Sequence, residues 1–173
     1  MKSIIILLST VFISLNAFAQ DILFSKANLQ TELERYMPVI QQQGLFSLVL
    51  KNPQLELLAD QQRLSIRSQV VLSTALGTES QGWIKVDGKL RYKQLDYSFY
   101  VDDPRVTEFN FADLPPALQP QIQALAGDIL ASVITEQPIY TLSDQSMQEA
   151  LAKMMLKSII IKEDSVVAAL SPF

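Results

Sequence analysis

The sequence predicts a single α+β domain, on three observations. Apolar residues alternate with period two over most of the stretch from Phe46 to Phe111. They recur at three- and four-residue spacing before Pro38 and again between Asp113 and Thr135. No internal repeat or flexible linker divides the chain. The alternation belongs to half-buried antiparallel strands, and the helical spacing to amphipathic helices that cover them.

The first element is removable. Lys2, the apolar run from Ile4 to Leu15 and the triplet Ala17-Phe18-Ala19 read as a cleavable secretory signal over residues 1–19, with the mature N-terminus at Gln20. The run is short for a bilayer span, and no cysteine follows it to carry a lipid, so the expected product is a soluble periplasmic domain over residues 20–173. Cleavage leaves thirteen Lys and Arg against eighteen Asp and Glu, a net charge of −5, which argues against nucleic-acid binding.

Ser25 can cap a helix bearing Leu29, Leu33, Tyr36, Met37 and Ile40, which Pro38 kinks or ends. Strand residues follow: Phe46, Leu48 and Leu50; Leu55 and Leu57 after the Asn52-Pro53 interruption; then Leu64, Ile66, Val70, Leu72 and Leu76. From Gly82 to Lys93 the alternation is clearest. Ile84, Val86, Leu90 and Tyr92 share one face with Gly88, which marks either strong curvature or a simple bulge. Trp83, Lys85, Asp87, Lys89, Arg91 and Lys93 share the other. Leu95, Tyr97, Phe99 and Val101 continue the sheet, and Val106, Phe109 and Phe111 close it after a break at Asp102 to Pro104.

Asp113, with Pro115-Pro116 behind it, predicts a second helix to about Thr135. Its stripe is Leu118, Ile122, Leu125, Ile129 and Val133, widened by Leu130 and Ile134, with the small residues Ala124, Ala126, Gly127 and Ala131 beside it and a local kink at Pro120. A short strand at Ile139 to Leu142, a Ser143-Asp144 cap, a helix with Met147, Ala150, Leu151, Met154 and Met155, and a final strand from Ser158 to about Ala169 complete the chain. Ile159, Ile160 and Ile161 suggest that this last strand is covered on both faces.

Histidine and cysteine are both absent, which removes the usual general base, the usual nucleophile pairs and the common zinc ligand sets. No phosphate-cradling glycine loop is present. Asp102-Asp103 could form a carboxylate pair for acid/base work or Ca²⁺, but before Pro104 and between apolar strand residues it reads better as a solvated bulge or turn. The row Lys85, Lys89, Arg91 and Lys93 either solvates the sheet or meets anionic headgroups, with Trp83 at the membrane boundary. No cofactor and no metal is expected.

The run Gln137-Pro138-Ile139-Tyr140-Thr141-Leu142, then Glu149-Ala150-Leu151-Ala152-Lys153, then Lys157, Ile159, Ile161 and Lys162, resembles the end of the bacterial YceB-like lipoproteins. The order of elements resembles theirs over the mature chain, and the residue likeness runs from about Gln137 to Val167. The lipid-bearing cysteine of that family is missing, so membrane anchoring does not carry over. The family is similar in fold to the tubular lipid-binding superfamily. That resemblance implies a highly curved antiparallel sheet wrapped around a long helix, with an apolar channel between them lined by Leu64, Ile66, Val86, Leu90, Leu125 and Ile129. It further implies non-catalytic binding of a lipid or another elongated hydrophobic molecule. The alternative is an envelope interaction protein that presents Trp83 and its basic strand face to a partner and holds no ligand.

Overall fold

The computed structural model describes residues 21–171 apart from 76, 78, 112 and 118, and not the side chains of 43, 126, 130 and 133. The expected secretory signal and cleavage site, together with Leu76, Leu118 and the side chains of Ala126, Leu130 and Val133, lie outside the described residues. Nine strands and three α-helices are described: β1 (Ile22–Ser25), α1 (Lys26–Arg35), β2 (Val39–Gln43), β3 (Phe46–Leu58), β4 (Arg63–Thr74), β5 (Glu79–Lys93), β6 (Ser98–Phe111), α2 (Gln119–Glu136), β7 (Tyr140–Thr141), α3 (Met147–Met155), β8 (Leu156–Ile161) and β9 (Ser165–Leu170). They form a six-stranded sheet in the order β2-β3-β4-β5-β6-β7 and a three-stranded sheet in the order β1-β9-β8, antiparallel throughout.

The expected sheet wrapped around a long helix is not what forms. The only long helix among the described residues, α2, has 18 residues, about 27 Å at 1.5 Å per residue. It lies on one half of the inner face of the six-stranded sheet, where Ile122, Ile129 and Ile134 meet Leu48, Leu50, Val70, Leu72, Ile84 and Val86. The other half of that face is covered by α1, α3 and the three-stranded sheet, through Phe24, Leu29, Leu33, Ile161, Val166 and Ala168 against Leu55, Leu57, Leu64, Ile66, Phe99 and Val101. With that half already covered, α2 has no sheet to be enclosed by.

Bulges explain how long strands keep one apolar face. On β3 the inward set changes from Leu48 and Leu50 to Leu55 and Leu57, a change of parity that one extra residue at Asn52-Pro53 supplies. Asn52 takes φ +52° there, and its amide donates to Gln69 Oε1 at 2.8 Å. On β6 the Asp102-to-Pro104 step is likewise a register shift, within one continuous strand and opposite Gly88. The bulge reading of Gly88 and of the Asp-Asp-Pro step therefore holds. Gly88 also makes room for the side chain of Val101, which a Cβ would overlap.

Ser25 caps α1 as expected, accepting from the Asn28 amide at 3.2 Å, and the helix ends before Pro38; Ile40 belongs to β2 instead. Other boundaries differ from the sequence reading. Residues 94–97 form the β5–β6 turn, so Leu95 is 90% exposed instead of continuing the sheet. α2 begins at Gln119, past both prolines. α3 is capped by Ser146, not Ser143-Asp144, because Glu149 sits three residues after Ser146 and its carboxylate reaches back to the Ser143 amide at 2.6 Å. The final strand is a hairpin, β8 and β9, turning where the Lys162 amide donates to the Ser165 carbonyl at 2.8 Å. Ile160 is consequently exposed, whereas Ile161 is buried.

Tyr92 carries a local cost. Its ring packs beside Phe99 at 5.3 Å between centroids, yet its buried hydroxyl has no hydrogen-bond partner among the described residues. Burial, followed by the neighbouring Tyr97 and Asp96, pushes that phenol above its ordinary range. Tyr92→Phe is expected to leave stability unchanged or raise it by about 1 kcal/mol, since an unpaired buried hydroxyl is removed. Chemical unfolding of the two proteins checks this, and a clear loss in the variant would mean that the hydroxyl is engaged.

Candidate functional site

The inner face of the six-stranded sheet is divided. On β4, Leu64 and Ile66 belong to the first core cluster and Val70 and Leu72 to the second, with buried Ser68 between them. On β3 the same division falls at the Asn52-Pro53 bulge, and on β5 it falls between Val86 and Leu90, across Gly88. Ile134 of α2 packs against both clusters.

Where the clusters fail to merge, a recess of about 40 Å³ remains. Leu33 and Tyr36 at the end of α1, Met37 and Val39 leading into β2, Leu50 and Ile66 from the sheet, and Ile134, Pro138 and Ile139 from the end of α2 line it, with Ser68 and Gln137 at its margins. Tyr36 and Gln137 are exposed, while Met37 and Pro138 are half-buried, so these four frame the mouth. The walls are almost wholly apolar. They offer no charged group, and the chemistry available is the exclusion of water from an alkyl or aromatic group.

Of the six residues expected to line a channel, only Ile66 lines this recess. Leu64 is fully buried in the first cluster, with Leu90 packed against it, and Val86 is buried in the second, with Ile129 packed against that. Leu125 is half-buried on α2, outside both clusters. The sequence reading missed Met37, Ile134, Pro138 and Ile139 as a group. The available signal was Ser68, a polar residue in the middle of an inward apolar row.

The segment from Gln137 to Leu142 has a packing account. Tyr140 stands among Phe24 and Phe99, at 5.3 and 6.2 Å between centroids, and its hydroxyl donates to Glu149 Oε1 at 2.8 Å, tying α3 to β7. Burial first and then this carboxylate raise the Tyr140 phenol far above its ordinary range.

On the outer face three of the four cations of the basic row are neutralised, and among the described residues no carboxylate lies within 4.0 Å of the fourth, Lys89. Lys85 meets Glu56 at 3.0 Å and Glu108 at 3.7 Å, Arg91 meets Asp102 at 2.5 Å, and Lys93 meets Asp96 at 2.9 Å. Asp103 is held between Arg105 at 2.8 Å and the buried Arg63 at 3.2 Å, which pull its carboxyl below the usual range, Arg63 most. Both carboxylates of the Asp102-Asp103 pair are thus committed to arginines. Among the described residues no three His, Cys, Asp or Glu side chains converge as a metal set, and no helix is long and apolar enough to cross a membrane.

Comparison with known proteins gives one family. A family model described as a protein of unknown function, DUF1439, matches residues 24–165, from β1 to the start of β9 and hence across both sheets. None of the curated proteins matches the chain.

Proposed function

The chain belongs to the DUF1439 family, and we propose that it is an exported, non-catalytic binder of a lipid acyl chain or another elongated hydrophobic molecule, received at the seam between its two core clusters. The observation that carries this reading is the apolar recess beneath Ile134, where both clusters share one side chain and neither fills the space. A lipid-sized ligand needs roughly 300–1,000 Å³. The recess admits the tip of a chain, and the remainder is accommodated as α2 moves away from β6. Such a chain would run from Ile66 at the recess along the face that α2 covers, past Val86 and Ile129.

Several features support that movement. Leu125, Ile129 and Ile134 are only half-buried, and no ion pair among the described residues ties α2 to the sheet. The likeness of Gln137 to Val167 to the YceB-like lipoproteins supports the same reading, since Gln137, Pro138 and Ile139 form one wall of the recess. The leader at residues 1–19 supports a periplasmic place of work.

Native mass spectrometry of the protein recovered from a periplasmic extract is expected to give a chain beginning at Gln20 with a non-covalent lipid. Titration with a fluorescent fatty acid is expected to saturate for the wild type and for Leu95→Trp on the exposed turn, and to fail for Ile134→Trp, whose indole occupies the recess. A wild-type protein that carries no lipid and takes up no fatty acid would falsify the reading.

A further inference from the structure

We propose that the outer face of the six-stranded sheet carries a separate site for an anionic saccharide, centred on Trp83 and Arg67. The inference does not depend on the apolar seam, which opens on the opposite face. Strand register places Lys51, Gln69, Trp83 and Asn110 in one row across β3, β4, β5 and β6. At about 4.8 Å per strand the row spans about 14 Å, enough for more than one sugar ring. Around it lies a groove of about 440 Å³, within the size range of small-molecule sites. The bulge at Asn52-Pro53 shapes its β3 side.

The charge of this groove differs from its surroundings. Of the neighbouring cations on β5, Lys85, Arg91 and Lys93 are each neutralised by a carboxylate; Lys89 has none within 4.0 Å among the described residues, but it lies outside the groove. Among the described residues no carboxylate lies within 4.0 Å of Lys51 or Arg67, and none lines the groove. On a chain of net charge −4, two unneutralised cations side by side call for an anion. Arg67 lies over the Trp83 ring, its guanidinium carbon 4.0 Å from the ring centroid. Stacking orients the guanidinium while leaving its in-plane N–H donors available for bidentate contact with a carboxylate or phosphate.

The remaining side chains fit hydroxyl groups. Gln54 and Asn110 bring amides that both donate and accept, as sugar hydroxyls do. Gln69 Oε1 already accepts from Asn52 and Gln81 Nε2 already donates to Glu79, which leaves the Gln69 amide nitrogen and the Gln81 amide oxygen to complete the set. Recognition here must come from side chains, because the backbone groups of β4 and β5 are committed to ladders on both sides. That disfavours an acidic peptide, which would add to a sheet edge instead.

Trp83 is the only tryptophan in the chain, so its emission reports on this groove alone. The full chain would be titrated with trigalacturonate, glucose 1-phosphate, maltotriose and a hexaglutamate peptide. A saturable change in Trp83 emission with trigalacturonate or with glucose 1-phosphate is expected, and the stronger of the two identifies carboxylate or phosphate as the anion. Arg67→Gln and Lys51→Gln, with folding verified by circular dichroism, should each weaken it by about tenfold, the scale of one lost hydrogen bond to a charged group. Maltotriose should bind more weakly than the better anion. The proposal is overturned if neither anionic sugar gives a saturable response, if maltotriose binds equally well, if both variants bind like the wild type, or if hexaglutamate binds as tightly as trigalacturonate.

Discussion

Phe99→Ala is expected to destabilise the protein by about 3–5 kcal/mol, the range for a fully buried aromatic ring cut back to a methyl group. Phe99 is 1% exposed on β6 and touches three other rings: Phe24 at 5.5 Å, Tyr92 at 5.3 Å and Tyr140 at 6.2 Å between centroids. Phe24 comes from β1, in the three-stranded sheet, so its edge-on contacts with Phe99 and Tyr140 are part of the joint between the two sheets. Each such pair contributes about 0.5–1.5 kcal/mol beyond the area it buries. Phe109 provides the comparison, since it lies on the same strand, is half-buried, and pairs with Phe111 at 4.8 Å within that strand. Urea unfolding should therefore show a clearly larger loss for Phe99→Ala than for Phe109→Ala. Equal losses would mean that the sheets are held together elsewhere.

That joint also marks the boundary of what the sequence makes legible. Strands β3, β4 and β5 are readable because alternation is a local property, and even the parity change at Asn52-Pro53 appears in the order of the leucines. Ser25 is readable as a cap for the same reason. The pairing of β1 with β9, Ile22 opposite Ala168, joins the two ends of the described chain and leaves no local trace. Without it, α2 looks like the only cover for a long sheet, and a wrapped helix follows as the natural expectation. The β8–β9 hairpin is hidden by its composition, because Lys162-Glu163-Asp164 contains neither glycine nor proline and joins two apolar runs into what reads as one. Choosing Ser146 over Ser143 as the cap of α3 depends on where the Glu149 carboxylate ends, beside Tyr140 and the Ser143 amide. The recess is less legible still, since it exists only where two clusters meet imperfectly, with Ser68 as its one local sign. On the outer face the cations of β5 are visible in sequence, but the carboxylates that neutralise Lys85, Arg91 and Lys93 lie on β3, β6 and the β5–β6 turn. Arg67 and Lys51 stand out only once that pairing is known.

Gly82→Ala should be a strongly damaging methyl addition on the inner face of the six-stranded sheet. Gly82 lies opposite Phe111 in the β5–β6 ladder. A Cβ there would overlap the Asn110 carbonyl and stand 2.7 and 2.8 Å from two atoms of the Phe111 ring. The carbonyl is backbone in a paired strand and cannot rotate away, so relief requires β5 and β6 to separate locally. Overpacking of this kind costs about 1–3 kcal/mol and sometimes more, and here a backbone clash puts the expected loss at the upper end. Gly88→Ala is the instructive contrast, because its overlap is with a side-chain atom, Val101 Cγ1, although the Asp102 carbonyl is also near at 3.2 Å. Trimming the neighbour should therefore separate the two cases. Val101→Ala added to Gly88→Ala should recover part of the loss, after allowing for the cavity that Val101→Ala makes alone. Phe111→Leu added to Gly82→Ala should recover little, because the Asn110 carbonyl remains. Trp83 follows Gly82 and faces Asn110, so the local separation should also alter the emission of the single tryptophan in the folded protein. Full recovery in the Phe111 double variant would show that ring crowding, not the backbone carbonyl, is what requires glycine at this position.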